Sequence, residues 1–335
     1  MNFKQLTHVV ALADTLSFSK AAERVHLSQS ALSKSISALE EEIGIQIFAR
    51  TTNKVEVAPT GQHVITHARH LLSEATSFRK NIEYLKTGEL GSVALGSGPF
   101  PAASFLDTAI HQFHQRYPRV SFSIRIDHWA NLLAALHAGK IDFFMADVRD
   151  IKQDATLDIT PIGGLTVTLC CSRDHPLIAS DPSRTVQATE LLKYAFASVS
   201  LPPQMFLSLK QSMGLGPNDN FQVSIECDDM ALLNRIIPGS DIILVTSNLM
   251  METRFPNANI IKLHVPMSRN RFGEWALVKI KGRTLTPSAT LLAELLIELV
   301  RQGSRQDDAR HGFEGNKPLN FLAASGRGAS RHQAG

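Results

Sequence analysis

A length of 335 residues exceeds one ordinary domain of ~100–200 residues, and 44% hydrophobic with 19% charged residues is the composition of a folded chain. A net charge of +3 is too small to argue for nucleic acid by itself, three cysteines cannot make a secreted disulfide framework, and no uncharged apolar run reaches the ~18–20 residues that span a bilayer. The opening MNFKQLTHVV has no apolar h-region, so the expectation is a soluble, cytoplasmic, multidomain protein with no membrane partner.

Phe3, Leu6, Val10 and Ala13 recur at helical spacing and predict a first helix from about Asn2 to Asp14. Ser17 or Ser19 caps a second, whose inner face carries Phe18, Ala21, Ala22 and Val25. A third starts after His26-Leu27 with Ser28 as N-cap. Its apolar stripe is Ala31, Leu32, Ile36 and Leu39, and Gly44 stops it. Two helices joined by so short a turn make a helix-turn-helix. Ile45 to Val57 alternates like a hairpin with Thr52-Asn53 at its tip, which adds a wing and closes a head domain over residues 1–59.

From Thr60 to about Lys86, the residues Val64, Ala68, Leu71, Ala75, Phe78, Ile82 and Leu85 are spaced 4-3-4-3-4-3. That predicts one helix ~40 Å long with a heptad seam. Packing on its own domain is the alternative, but a single-file stripe is narrow for a core face and favours dimerisation. The linker, 60–88, ends where Thr87-Gly88-Glu89-Leu90-Gly91 breaks the pattern.

After Ser92 short β-branched runs alternate with helical patterns. Strands are expected at Val93–Ser97, Val120–Ile126, Ile141–Ala146, Thr166–Cys171, Tyr194–Ser198, Phe221–Ile225, Ile242–Val245, Ile260–Val265 and Trp275–Ile280. Helices fit at Ala102–Tyr117, Ala130–Ala138, Pro203–Met213, Met230–Ile237 and Ser288–Arg301. Such alternation predicts a mostly parallel α/β arrangement, better divided into two small sheets than one. Residues 303–335 show little periodicity and read as a disordered tail.

The stretch SFSKAAERVHLSQSALSKSISALEEEIGIQIFARTTNKVEVAPTG, Ser17 to Gly61, resembles the LysR-type transcriptional regulators of bacteria. The resemblance rests on Ala21-Ala22, Leu27-Ser28-Gln29-Ser30-Ala31-Leu32-Ser33, Ile36, Leu39-Glu40, Gly44, Phe48, Arg50, Val55 and Gly61, and continues more weakly to about residue 302. Asn53, Glu56 and Ala58 depart from it, standing where the family usually has Arg, a basic residue and Thr. The resemblance implies an α+β multidomain chain: a winged helix-turn-helix, a long linker helix and a two-lobed α/β effector domain like a periplasmic binding protein. Lobe 1 is then about 92–163 with 267–302, and lobe 2 about 164–266. It also implies a homo-oligomer, a dimer or a dimer of dimers, that binds double-stranded DNA and a small-molecule effector, with RNA polymerase as a further partner.

A helix in the major groove reads bases from its N-terminal end. Here that end offers Gln29, Ser30, Ser33, Lys34 and Ser37, with Ser28 at the cap. Arg50 and Lys54 on the wing and Lys20 and Arg24 on the second helix are candidate phosphate contacts. Charge adds no support, since residues 1–60 hold six basic and six acidic side chains. Paired heads on a dimer compensate for one weakly charged head.

Open α/β sheets take ligands beyond the carboxyl ends of their strands. That rule picks Ser97, Gly98 and Phe100, then His128, Trp129 and Asp147 in lobe 1, and Ser198, Ser200 and Thr246 in lobe 2. Asp228 reads as a helix cap rather than a ligand contact. Asp127 and Asp147 make the cleft inhospitable to a dianion unless Arg125 or Arg149 enters, so a zwitterion, an amine or a neutral aromatic is as well suited as an acid.

No GxSxG elbow, Walker loop or HExxH is present, so no enzyme is expected and no cofactor is called for beyond the effector. The alternative is a solute-binding or enzymic α/β protein with a fused DNA-binding module. His63, His67 and His70 cluster on the linker, where a solvated helix face is the plainer account than a metal site. Cys170-Cys171 falls in an apolar run where a buried strand is expected, which disfavours a redox role.

Overall fold

The computed structural model describes residues 1–51, 54–87, 91–151, 154–216, 218–254, 259–267 and 273–311. The chain opens with α1 (Phe3–Thr15), α2 (Phe18–Arg24) and α3 (Gln29–Ile43). Each start is capped: Asn2 with Gln5 in a reciprocal box, Ser17 on the amide of Lys20, and Ser28 on that of Ala31. Gly44 ends α3 in the left-handed conformation at φ 69°. Val9, Leu12, Ala21, Leu32, Ile36, Leu39 and Phe48 fill the core of the head.

The wing is the antiparallel pair β1 (Phe48–Thr51) and β2 (Lys54–Val57). Glu40 on α3 holds its base, accepting the amide hydrogens of Ile47 at 2.8 Å and Phe48 at 3.0 Å. The linker helix α4 (Pro59–Thr87) follows directly. Gly61 lets it pass the wing, since a Cβ there lies 2.1 Å from the Ile47 carbonyl oxygen. The expected seam is divided. Ala68 is buried in the head core with Ile65, and Val64 packs against it, whereas Leu71 and Phe78 stay 42% and 66% exposed.

The first lobe contains β3 (Ser92–Ser97), α5 (Pro99–Pro101), a π-helical turn (Ala102–Leu106), α6 (Asp107–Arg116), β4 (Ser121–Ile126), α7 (Trp129–His137), β5 (Phe143–Asp147) and β6 (Leu157–Gly163). The chain then crosses to β7 (Val167–Ser172), α8 (Ala188–Leu191), β8 (Phe196–Ser198), α9 (Pro203–Ser212), β9 (Val223–Glu226), α10 (Met230–Ile236), β10 (Ile243–Ser247), α11 (Asn248–Arg254) and β11 (Ile260–Lys262). It returns through β12 (Trp275–Ile280) and ends in α12 (Pro287–His311). Two five-stranded sheets result, ordered β4-β3-β5-β12-β6 and β11-β7-β10-β8-β9.

The sheets are mixed rather than mostly parallel. Among the described residues β3–β4, β3–β5, β8–β9 and β8–β10 are parallel, while β5–β12, β6–β12, β7–β10 and β7–β11 are antiparallel. The antiparallel partners cluster where the chain leaves one lobe and returns, because a strand coming back runs the other way. Strand β6 escapes sequence reading because Pro161 and Gly163 interrupt it, and Pro is tolerated there because β6 is an edge strand.

The residues expected to begin a disordered tail continue α12 instead, as far as His311; residues 312–335 lie outside the described residues. The last turns of α12 cross from lobe 1 to lobe 2. Ser304 accepts the amide hydrogen of Gly164 at 3.2 Å, and Asp307 accepts that of Thr166 at 2.6 Å together with the Thr166 hydroxyl. Asn248 donates to the Thr166 hydroxyl and accepts from the Lys262 ammonium, and Arg310 pairs with Glu252 of α11. Polar bonds rather than an apolar stripe carry this extension, so periodicity does not register it.

Candidate functional site

The exposed end of α3 presents Gln29, Ser30 and Lys34 to solvent, with Ser33 and Ser37 half-buried beside them. Ser28 is occupied as the cap and also bonds the Ser30 hydroxyl at 3.1 Å. Lys20 is exposed on α2, but Arg24 is tied to Asp14 at 2.8 Å, and Asp14 also holds Arg69 of α4. That triad fastens α1, α2 and α4 together, so Arg24 already has a structural partner. The side chains of Arg50 and Lys54, and Asn53 at the wing tip, lie outside the described residues.

The cleft is where the two sheets face each other. Gly98, Phe100, His128, Trp129 and Asp147 line it from lobe 1, and Ser200 lines it from lobe 2. Ser97, Ser198 and Thr246 do not line it: all three are fully buried behind it. The Ser97 hydroxyl donates to the Gly98 carbonyl at 2.9 Å, and the Thr246 hydroxyl faces the Met250 sulfur at 3.7 Å. The Ser198 hydroxyl has no partner among the described residues. Asp147 is consumed internally, accepting from Arg149 at 2.7 Å and from the amide of Glu274 at 3.0 Å. Asp127 is likewise held by Arg125 at 2.8 Å and Asn131 at 2.7 Å. Burial, the largest single influence, pulls the Asp127 carboxyl up, but those bonds and the Arg125 charge together hold it below the usual carboxylate range. Neither arginine is left to enter the cleft.

Sequence reasoning missed several apolar lining groups, among them Pro99, Pro202, Met205 and Trp275. Helix-opening prolines carried the only signal for the first two. Asp228 bonds the Ser200 amide at 2.9 Å, while the cap of α10 is Asp229. The lobes meet closely, leaving about 30 Å³ between them. That is room for a water, so anything larger enters only as the lobes part. The two crossovers between the lobes meet at Gly164 and Gly273: a Cβ on Gly164 would lie 1.7 Å from the Gly273 carbonyl oxygen.

Two other hollows compete with the cleft. One of about 840 Å³ between the head and lobe 1 is lined by Arg24, Arg69 and Arg125, already paired with Asp14 and Asp127. The other, about 290 Å³, brings His63, His67 and His70 of α4 to His137 of α7. Among the described residues no group of three or more His, Cys, Asp or Glu is arranged to hold a metal ion. Cys170 and Cys171 are both fully buried on β7, and burial pushes both thiols up, that of Cys171 to about 12. Thiols so held resist becoming the nucleophilic thiolate. No helix among the described residues is long and apolar enough to cross a membrane.

Comparison with known proteins matches both parts of the chain. Residues 3–62 match the family described as bacterial regulatory helix-turn-helix protein, lysR family, and residues 86–301 match the LysR substrate binding domain. A relative named SDS degradation transcriptional activation protein, from Pseudomonas sp. (strain ATCC 19151), is 30% identical over 298 residues, covering 89% of this chain and 96% of its own. Among solved structures, a full-length OxyR variant from Pseudomonas aeruginosa superposes with a TM-score of 0.61 at 19% identity, covering 90% of this chain and 95% of that one. Full-length CbnR in complex with its target DNA gives 0.54 at 17% identity, covering 90% and 99%.

Proposed function

The chain belongs to the LysR-type transcriptional regulators, and from that premise we propose how its parts divide the work. The head binds double-stranded DNA through α3, α4 joins two or more copies, and a small molecule between the lobes switches promoter activity. The observation that carries the DNA reading is the capped N-terminal end of α3, where Gln29, Ser30 and Lys34 stand exposed on a helix anchored by the head core. Gln suits the paired donor and acceptor of an adenine edge, Lys suits guanine or phosphate, and Ser accepts either.

Joining of copies is supported by Leu71 and Phe78, large apolar side chains one heptad apart and open to solvent on α4. The protein acts by binding rather than by turnover. Its cleft carboxylates, Asp127 and Asp147, are each bonded to an arginine. Selection of randomised duplexes by the full-length protein tests the proposal: enrichment of paired half-sites about one helical turn or a multiple apart is expected. Retention without any enriched sequence defeats it, and turnover of a bound small molecule favours an enzyme with a fused DNA module.

A further inference from the structure

Resting on that cleft as the effector site, we infer the chemical class of its ligand: an uncharged, mostly apolar molecule bearing one hydrogen-bond acceptor. A cleft of this architecture ordinarily gathers anions with free backbone N–H groups at strand ends and helix starts. Here several of those donors are missing or spent. Pro99, Pro101 and Pro202 carry no N–H at the positions that open α5 and α9. The amide of Gly98 donates to the Met145 carbonyl, that of His128 to Asp127 and that of Ser200 to Asp228, each within its own lobe.

The cationic side chains nearby are committed too, Arg149 to Asp147 and Arg125 to Asp127. An anion entering this space meets two carboxylates and gains no uncommitted cation from these pairs, so it surrenders its hydration without return. Apolar matter meets Phe100, Trp129, Met205 and Trp275 instead. The polar handle is a donor. The Trp129 indole nitrogen is buried with no acceptor among the described residues. His128 adds a second: its Nδ1 accepts from the Ala130 amide at 3.3 Å, which leaves the proton of the neutral ring on Nε2. Both groups call for an acceptor oxygen, as in an alcohol, ketone or ester.

The test uses one alkyl chain with three head groups, 1-octanol, octanoate and octyl sulfate, titrated into the full-length protein. Trp129 and Trp275 are the chain's two tryptophans and both line the cleft, so intrinsic emission reports this place. Octanol is expected to change the emission saturably, with the two anions binding about tenfold or more weakly. Trp129→Phe keeps an aromatic face, of one ring instead of two, and removes the N–H, so octanol affinity should fall about threefold to tenfold with the melting temperature retained. Octanoate or octyl sulfate binding as tightly as octanol overturns the ligand class and leaves the cleft as the effector site. Saturable heat of binding with unchanged emission puts the ligand elsewhere and overturns both. No saturable response to octanol at its solubility limit overturns the class.

Discussion

Gln29 stands at the first position of α3, exposed, while its neighbour Ser28 spends its hydroxyl on the cap. A side chain so placed is free to meet a base edge, and the backbone that carries it is fixed by the cap. Gln29→Ala should therefore relax preference at one operator position by ~1–3 kcal/mol, measured across a set of single-base operator variants. Lys20 is exposed on α2 rather than on the reading helix, the placing expected of a phosphate contact. Lys20→Ala should weaken all sequences alike and lower the salt slope by about one unit. An unchanged preference profile in Gln29→Ala would remove α3 as the reading helix. Three histidines set a different property. Burial holds His8, His137 and His175 below the ordinary imidazole value, and Asp154 and Asp241 do not outweigh it at the last two. His175 is fully buried, its Nε2 facing the Asp241 carbonyl at 3.0 Å and its Nδ1 accepting from the Leu177 amide at 3.1 Å. The unfolded chain then takes up protons before the folded one does. The stability these groups contribute is complete above about pH 6.5 and is lost as pH falls below it. Urea midpoints should fall from pH 7.5 to pH 5.5, and less steeply in His175→Gln. A midpoint that rises on acidification reverses the assignment.

Helix α4 serves two masters along its length. Its first turns belong to the head, where Ile65 and Ala68 are buried and Gly61 clears the wing, while Leu71 and Phe78 face out. The heptad spacing was legible in the sequence, but the division was not, because spacing alone does not say which neighbour covers a stripe. Leu71→Asp with Phe78→Asp should place uncompensated carboxylates in the seam and give monomers in sedimentation velocity. A double variant sedimenting as the wild-type oligomer removes α4 as the joining element. The full length of helix α12 is hidden in the sequence for the opposite reason. Its extension is bonded through Ser304, Asp307 and Arg310 to groups that no apolar period marks. Asp307→Ala leaves the buried amide and hydroxyl of Thr166 short of an acceptor, a cost of ~1–3 kcal/mol. Denaturant unfolding should show that loss, and a chain ending at Gln302 should show at least as much. A truncated chain as stable as the full one means the extension braces nothing.

Across the whole molecule, three bodies are joined by two articulations. The linker meets lobe 1 where Ser73 packs against Gly139 and Glu74 lies near the buried Arg283–Asp142 pair. The lobes meet at the two crossovers, with α12 laid across them. Strand and helix order announced two sheets, yet the cleft itself was only partly legible. The strand-end rule found Gly98, Phe100, His128, Trp129 and Ser200 but also chose Ser97, Ser198 and Thr246, which sit behind the surface. A strand-end position fixes where the backbone stops, and the rotation of the strand decides which side chain reaches the opening. Movement between lobes has to pass through both crossovers, and Gly164 lies against the Gly273 carbonyl where they meet. A ligand shifts the lobes only by its differential affinity for their arrangements, so a change at the hinge alters the response without touching either binding surface. Gly164→Ala adds a methyl where the carbonyl already stands, and the crossovers must move apart to hold it. Operator affinity without effector should stay within about twofold, because the heads are untouched, whereas the change in operator affinity caused by a saturating effector should shrink several-fold. Fluorescence anisotropy on a labelled operator, with and without effector, measures both. A variant with full effector response shows that the lobes work without motion at this contact, and one with lost operator affinity but normal response shows that the hinge is wired to the heads by another route.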